Sequence, residues 1–182
     1  MHAIDDILYY GQFVLIGSFI AGIIGMPFLV RATKKESDVT TKELAYSIIA
    51  VAQVFLVWFS FYEATDYMQQ EARKEVLELL KREDLRIFVY HSQLTDRTKE
   101  VVLHELLHLK KIDAHHSSPT DAKIITLKCG NEQTNLILKE DSNVKNEYWV
   151  FWDKYRSTTK SEIGRIRSEQ IERTLTKNGD WG

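Results

Sequence analysis

Two runs without a single charged residue dominate the hydrophobic pattern of the chain. Phe13 to Val30 (FVLIGSFIAGIIGMPFLV) and Leu44 to Tyr62 (LAYSIIAVAQVFLVWFSFY) span eighteen and nineteen residues. Each is close to the ~20 residues a helix needs to cross a ~30 Å hydrocarbon core. The pattern therefore predicts two transmembrane helices, 13–30 and 44–62, forming a hairpin within residues 1–62. After Tyr62 the character changes. EATDYMQQEARKEVLELLKRED is rich in helix formers and lacks Gly and Pro, so the second helix should run on as a stalk to about Arg82. Its apolar Met68, Ala72, Val76, Leu79 and Leu80 fall at three- and four-residue steps, the spacing of one packed helical face.

Beyond the stalk the period shortens. Leu85 to Tyr90 (LRIFVY) is short, β-branched and aromatic and reads as a strand, whereas Asp96 to Asp113 reads as a helix with Val102, Leu103, Leu106, Leu107 and Leu109 on one broad face. Three antiparallel strands follow. Ala122–Lys128 and Thr134–Glu140 flank a tight connection at Cys129-Gly130-Asn131-Glu132, and Tyr148–Trp152 comes after a polar SNVKN loop. The last of these is apolar on both faces, as a central buried strand requires. A short helix is expected over Ile166–Leu175. The fold class is thus a membrane protein: two N-terminal transmembrane helices, then a small α+β domain over residues 63–182 with a mainly antiparallel sheet.

Composition sharpens this. An overall 44% apolar and 27% charged content describes an ordinary soluble domain only because the spans and the polar remainder average out. From residue 64 to 182, twenty Lys or Arg face twenty Asp or Glu. That balance gives no strong nucleic-acid footprint, since duplex-binding surfaces need a basic excess. The single cysteine, Cys129, cannot form an internal disulfide. The amino terminus carries Asp5 and Asp6 and no small-residue cleavage site, so the first span is expected to remain in the mature protein. Arg31, Lys34, Lys35 and Lys42 in the connecting loop match Arg73, Lys74, Lys81 and Arg82 after the second span, and this tie leaves orientation open.

Within the spans, Gly17, Ala21 and Gly25 recur at i, i+4 and i+8, a strip of small side chains that lets helix backbones approach closely. Pro27 should kink or end the first helix near Gly25 or Met26. Gln53 stands at the midpoint of the second span, where its amide needs a partner in another helix or water in a pore.

Two motifs bear on chemistry. His104-Glu105-Leu106-Leu107-His108 is an HExxH that on a helix places two imidazoles for zinc and a carboxylate to activate water. The extended form with a third histidine is broken, because Lys111 stands where glycine is required and Ala114 replaces the histidine; His115 and His116 are the remaining third-ligand candidates. On a helical wheel His104, Glu105, His108 and Lys111 lie opposite the leucines, as on a solvated polar face. The sequence also lacks a phosphate-binding loop, a dinucleotide fingerprint, a nucleophile elbow and a zinc-spaced Cys pair. No cofactor and no catalytic residue are expected. The second motif is Arg97 and His104, which enclose six residues and fit the loose R-x4–6-H signature of HEPN ribonucleases.

A short chain, hydrophobic at its amino end, with a small soluble domain holding a degenerate R-x6-H at Arg97 and His104, resembles the membrane accessory proteins of type VI-B CRISPR systems. That resemblance implies a homo-oligomeric pore that depolarises the inner membrane in antiphage defence, functionally coupled to an RNA-guided RNase. It also implies a cytoplasmic soluble domain, with the bilayer and further copies of the chain as partners. HEPN folds are all helical, and the strands here depart from that, favouring structure or subunit contact over RNA cleavage for Arg97 and His104. Two other readings suit the same residues: a membrane-anchored hydrolase, either zinc peptidase or RNase, and an anchored sensor without pore activity.

Overall fold

A computed structural model describes residues 1–33, 40–112 and 116–177. The chain divides into two compact units, Met1–Tyr67 and Met68–Gly182.

The first unit is a helical pair. Helix α1 covers His2–Thr33 and α2 covers Thr41–Leu80, its first part lying in this unit. Both are long and apolar enough to cross a membrane. α1 runs through Pro27 instead of ending before it. Proline removes one backbone donor, but the neighbouring intrahelical bonds hold the helix on. The seam of α1 is spaced four and three in alternation: Leu8, Gly11, Leu15, Ser18, Gly22 and Gly25 are buried or half-buried. Ser47, Ala50, Val54, Val57 and Phe61 repeat the pattern on α2. A Cβ added at Gly22 would lie 2.5 Å from Val54 Cγ2, and one at Gly25 would lie 3.0 Å from Ala50 Cβ and 3.4 Å from the Ser47 carbonyl oxygen. Glycine is what allows this approach.

The small-residue strip expected at Gly17, Ala21 and Gly25 is therefore only partly the hairpin contact. Gly25 is buried in it and Ala21 is half-buried, but Gly17 is exposed and a Cβ there would meet nothing within 4 Å. The reason is helical: residues four apart drift about 40° per step, so a strict i+4 strip winds off a seam that alternating steps of three and four follow.

The second unit starts with the end of α2. Met68, Ala72, Val76 and Leu80 recur every fourth residue and are all fully buried. The chain then forms β1 (Leu85–Val89), β2 (Ser92–Gln93), α3 (Asp96–Leu106), β3 (Pro119–Cys129), β4 (Glu132–Asp141), β5 (Glu147–Trp152), α4 (Arg156–Lys160), β6 (Gly164–Arg167) and α5 (Glu169–Lys177). The strands make one antiparallel sheet, ordered β2-β1-β3-β4-β5-β6. Tyr90 and His91, both at positive φ, turn β1 into β2, and Gly130 at φ 56° turns β3 into β4. The register aligns Ile125, Leu136 and Trp152 across three strands. These residues are buried together with Ile87, Leu127, Leu138 and Val150, Val102 and Leu106 of α3, and Ile171 of α5. Arg73 Nε donates to the Ile163 carbonyl at 2.7 Å, and the Tyr155 hydroxyl donates to Glu75 at 2.8 Å. The α2 segment is thereby tied to the residues around β5 and β6.

Two expectations need correction. β6 occupies Gly164–Arg167, so the carboxyl-terminal helix starts at Glu169 instead of Ile166. A four-residue strand carrying two arginines has too short a pattern to show periodicity, and its partner β5 decides it. α3 stops at Leu106, well before Asp113, because Lys110 leaves the helical path to bridge Arg165. β2 and α4, of two and five residues, went unread.

Candidate functional site

At the end of α3, the backbone of Lys110 pairs with β6 in both directions: Lys110 N–H donates to the Arg165 carbonyl at 3.2 Å and Arg165 N–H donates to that of Lys110 at 2.8 Å. This clamp forms one wall of a groove of about 640 Å³ lined by His104, Glu105, His108, Lys110, Lys111, Ile112 and Arg167. The two imidazoles lie 4.8 Å apart between ring centroids. His108 Nδ1 sits 2.8 Å from the His104 carbonyl oxygen. A carbonyl only accepts, so Nδ1 carries the proton and Nε2 is left as the free nitrogen. His104 Nδ1 is 3.4 Å from Glu105 Oε1.

The HExxH thus brings His104, Glu105 and His108 to one groove, although His108 lies beyond the helix end. His116 lines no part of it, and His115 lies outside the described residues. Among the described residues no three His, Cys, Asp or Glu side chains gather closely enough to hold a metal ion. Purified protein is predicted to carry far less than one zinc per chain, and His104→Ala with His108→Ala to leave folding intact. Stoichiometric zinc that is lost in the double variant would restore the peptidase reading.

Arg97 is exposed near the start of α3, two turns or about 10.5 Å along the axis from His104. It does not line the groove. The R-x6-H pair is therefore arranged along one helix surface.

Behind the groove lies a buried charge network that sequence reading missed. Arg165, 1% exposed, donates to both oxygens of Glu162 at 2.8 and 3.1 Å and to Glu147 Oε1 at 3.1 Å, and stands 3.7 Å above the Trp149 ring. Burial alone would lower its pKa, but the hydrogen bonds to Glu162 and Glu147 outweigh burial and raise it. Arg167 Nε donates to the other oxygen of Glu147 at 2.6 Å. Asp141, 3.7 Å from Arg165, accepts from Ser117, Trp149 Nε1 and the backbone N–H groups of Asn143 and Val144. Burial pushes this carboxyl's pKa up, yet those bonds reverse the effect and hold it far below the usual carboxylate range. No sequence signal marked Glu147 as buried, because β5 is covered on both faces and has no alternation to read.

A second cavity, about 620 Å³, lies between the end of α2 and the β3–β4 turn, with Leu127, Cys129 and Trp152 on its inner side and Glu75, Glu78 and Glu132 among its polar residues. Cys129 is 2% exposed, and burial raises its thiol pKa, which makes it a poor nucleophile.

Comparison of the chain with protein-family models, with curated proteins and with solved structures gives no match. Function therefore rests on the residues themselves.

In the helical unit, two polar groups stand out. Ser18 is 8% exposed and its hydroxyl finds no hydrogen-bond partner, while the side-chain amide of the half-buried Gln53 makes no hydrogen bond among the described residues.

Proposed function

We propose that this protein is a membrane effector: the α1–α2 hairpin inserts in the bilayer, several copies associate through it, and the assembly opens a pore that depolarises the inner membrane in antiphage defence. The soluble unit faces the cytoplasm, where an RNA-guided RNase is the functional partner suggested by the resemblance to type VI-B accessory proteins.

The observation that carries this reading is Gln53. Only 6% of the most apolar stretch of α2 is buried, and 17% of that of α1, which is the opposite of a helix in a soluble core. In such surroundings an amide without a partner costs several kcal/mol. A neighbouring copy or a water-filled lumen removes that cost, and interhelical bonds of this kind contribute about 1 kcal/mol each. Gly17, exposed and free of the hairpin seam, offers a close-approach position to the same neighbour.

The test follows membrane potential with a voltage-sensitive dye in bacteria expressing the chain with its activator. Alkaline carbonate should leave the chain in the membrane fraction. Gln53→Leu should abolish depolarisation at unchanged expression, and Gln53→Asn should retain it. If Gln53→Leu depolarises normally, or the potential never changes while the protein cleaves RNA or peptide, the pore reading is wrong.

A further inference from the structure

We propose that the groove at the end of α3 is a phosphate-binding site, taking a small phosphate-bearing ligand of the nucleotide class. Charge is the first argument. In a unit where acidic and basic residues balance, Lys110 and Arg167 share one cavity with His104 and His108, and among the described residues Glu105 is its one lining carboxylate. Permanent cations on two separate elements, Lys110 and Arg167, disfavour a zinc ion and attract an anion.

Preorganisation is the second. Arg167 is gripped at Nε by the fully buried Glu147, which Arg165 holds from the other side. The terminal nitrogens of the Arg167 fork are left over, on a side chain 61% exposed. Lys110 is placed beside it by the paired backbone bonds to Arg165, and His108 is oriented by the His104 carbonyl. The Arg167 fork and the Lys110 backbone are thereby held side by side before any ligand arrives, which reduces part of the ordering cost of binding.

Size is the third. About 640 Å³ lies within the ~300–1,000 Å³ range of small-ligand clefts and exceeds what a lone inorganic anion fills. Ile112 and the imidazole rings supply surface for a flat or apolar portion beyond the phosphate. A phospholipid headgroup carries the same chemistry, and the experiment separates the two sources. The site stands independently of the pore, because its readout is binding.

Full-length protein in nanodiscs of neutral phosphatidylcholine is titrated with pyrophosphate and with ADP by calorimetry. Saturable binding with one site per chain is expected, weakened at least tenfold by Lys110→Glu combined with His108→Ala, both exposed positions, and also by Arg167→Gln. Lys81→Glu, at the far end of α2, should change nothing. A second arm compares flotation with vesicles with and without phosphatidylglycerol. Binding of the soluble probes that is lost in the variants assigns a free ligand, whereas flotation that needs phosphatidylglycerol and Lys110, without binding of either probe, assigns a headgroup. No binding in either arm, or binding unchanged in the Lys110 and Arg167 variants, overturns the site.

Discussion

Gly22→Leu opens the α1–α2 hairpin, whereas Gly17→Leu leaves it closed. At Gly22 the first carbon of any side chain would lie 2.5 Å from Val54 Cγ2, and the Ala50 carbonyl oxygen lies 3.6 Å away. Valine has little rotamer freedom on a helix, so relief requires the backbones to separate. Overpacking a tight contact typically costs about 1–3 kcal/mol, and a full leucine belongs at the upper end. Thermal unfolding in detergent should show a clearly lowered midpoint for Gly22→Leu and little change for Gly17→Leu. Val54→Ala should restore much of the loss in a Gly22→Ala background, since it removes the clashing methyl. In the proposed pore, Gly17→Leu acts elsewhere: it should shrink the assembly on gel filtration while the hairpin survives. Equal behaviour of the two variants in both measurements would remove the distinction between inner and outer glycines.

Replacing Arg165 by methionine should unfold much of the second unit. The substitution leaves Glu147 and Asp141, both fully buried, without their shared cation. Breaking a buried ion pair from one side costs about 3–5 kcal/mol, against a typical total stability of about 5–15 kcal/mol. Glu162→Ala, which removes a partner that is itself partly exposed, should cost far less. Near-ultraviolet circular dichroism of the full chain, which reports the packing of Trp149 and Trp152, is the measurement; a native spectrum for Arg165→Met would refute the network's role. The same network sets an acid limit. Asp141 has a folded pKa below its unfolded value, so its contribution is fully present above the ordinary carboxylate pKa of about 3.9 and is lost as pH falls below that. Asp141→Asn should therefore lower stability at neutral pH and flatten its decline in acid.

The residues themselves show which features were legible beforehand. The uncharged runs, the four-residue stripe from Met68 to Leu80 and the β3–β4–β5 meander all depend on periodicities that extend over a single element, and a linear pattern displays those. Gly25 was legible as a close-contact position, but Gly22 was not, because the choice between an i+4 strip and an alternating seam depends on how a second helix crosses the first. Arg97 and His104 look like a pair on paper, yet the rise of α3 holds them two turns apart.

Sequence alone thus determined an amphipathic division of labour: two apolar helices, a helical continuation and a small antiparallel sheet, because burial period and turn chemistry are local properties. Tertiary structure alone decided that Arg165 is buried on Trp149, that β6 is a strand, and that His108, Lys110 and Arg167 share a groove. A short strand acquires its hydrogen bonds from a partner, and a buried charge acquires its stability from carboxylates distant in the chain; neither partner is written in the neighbouring residues.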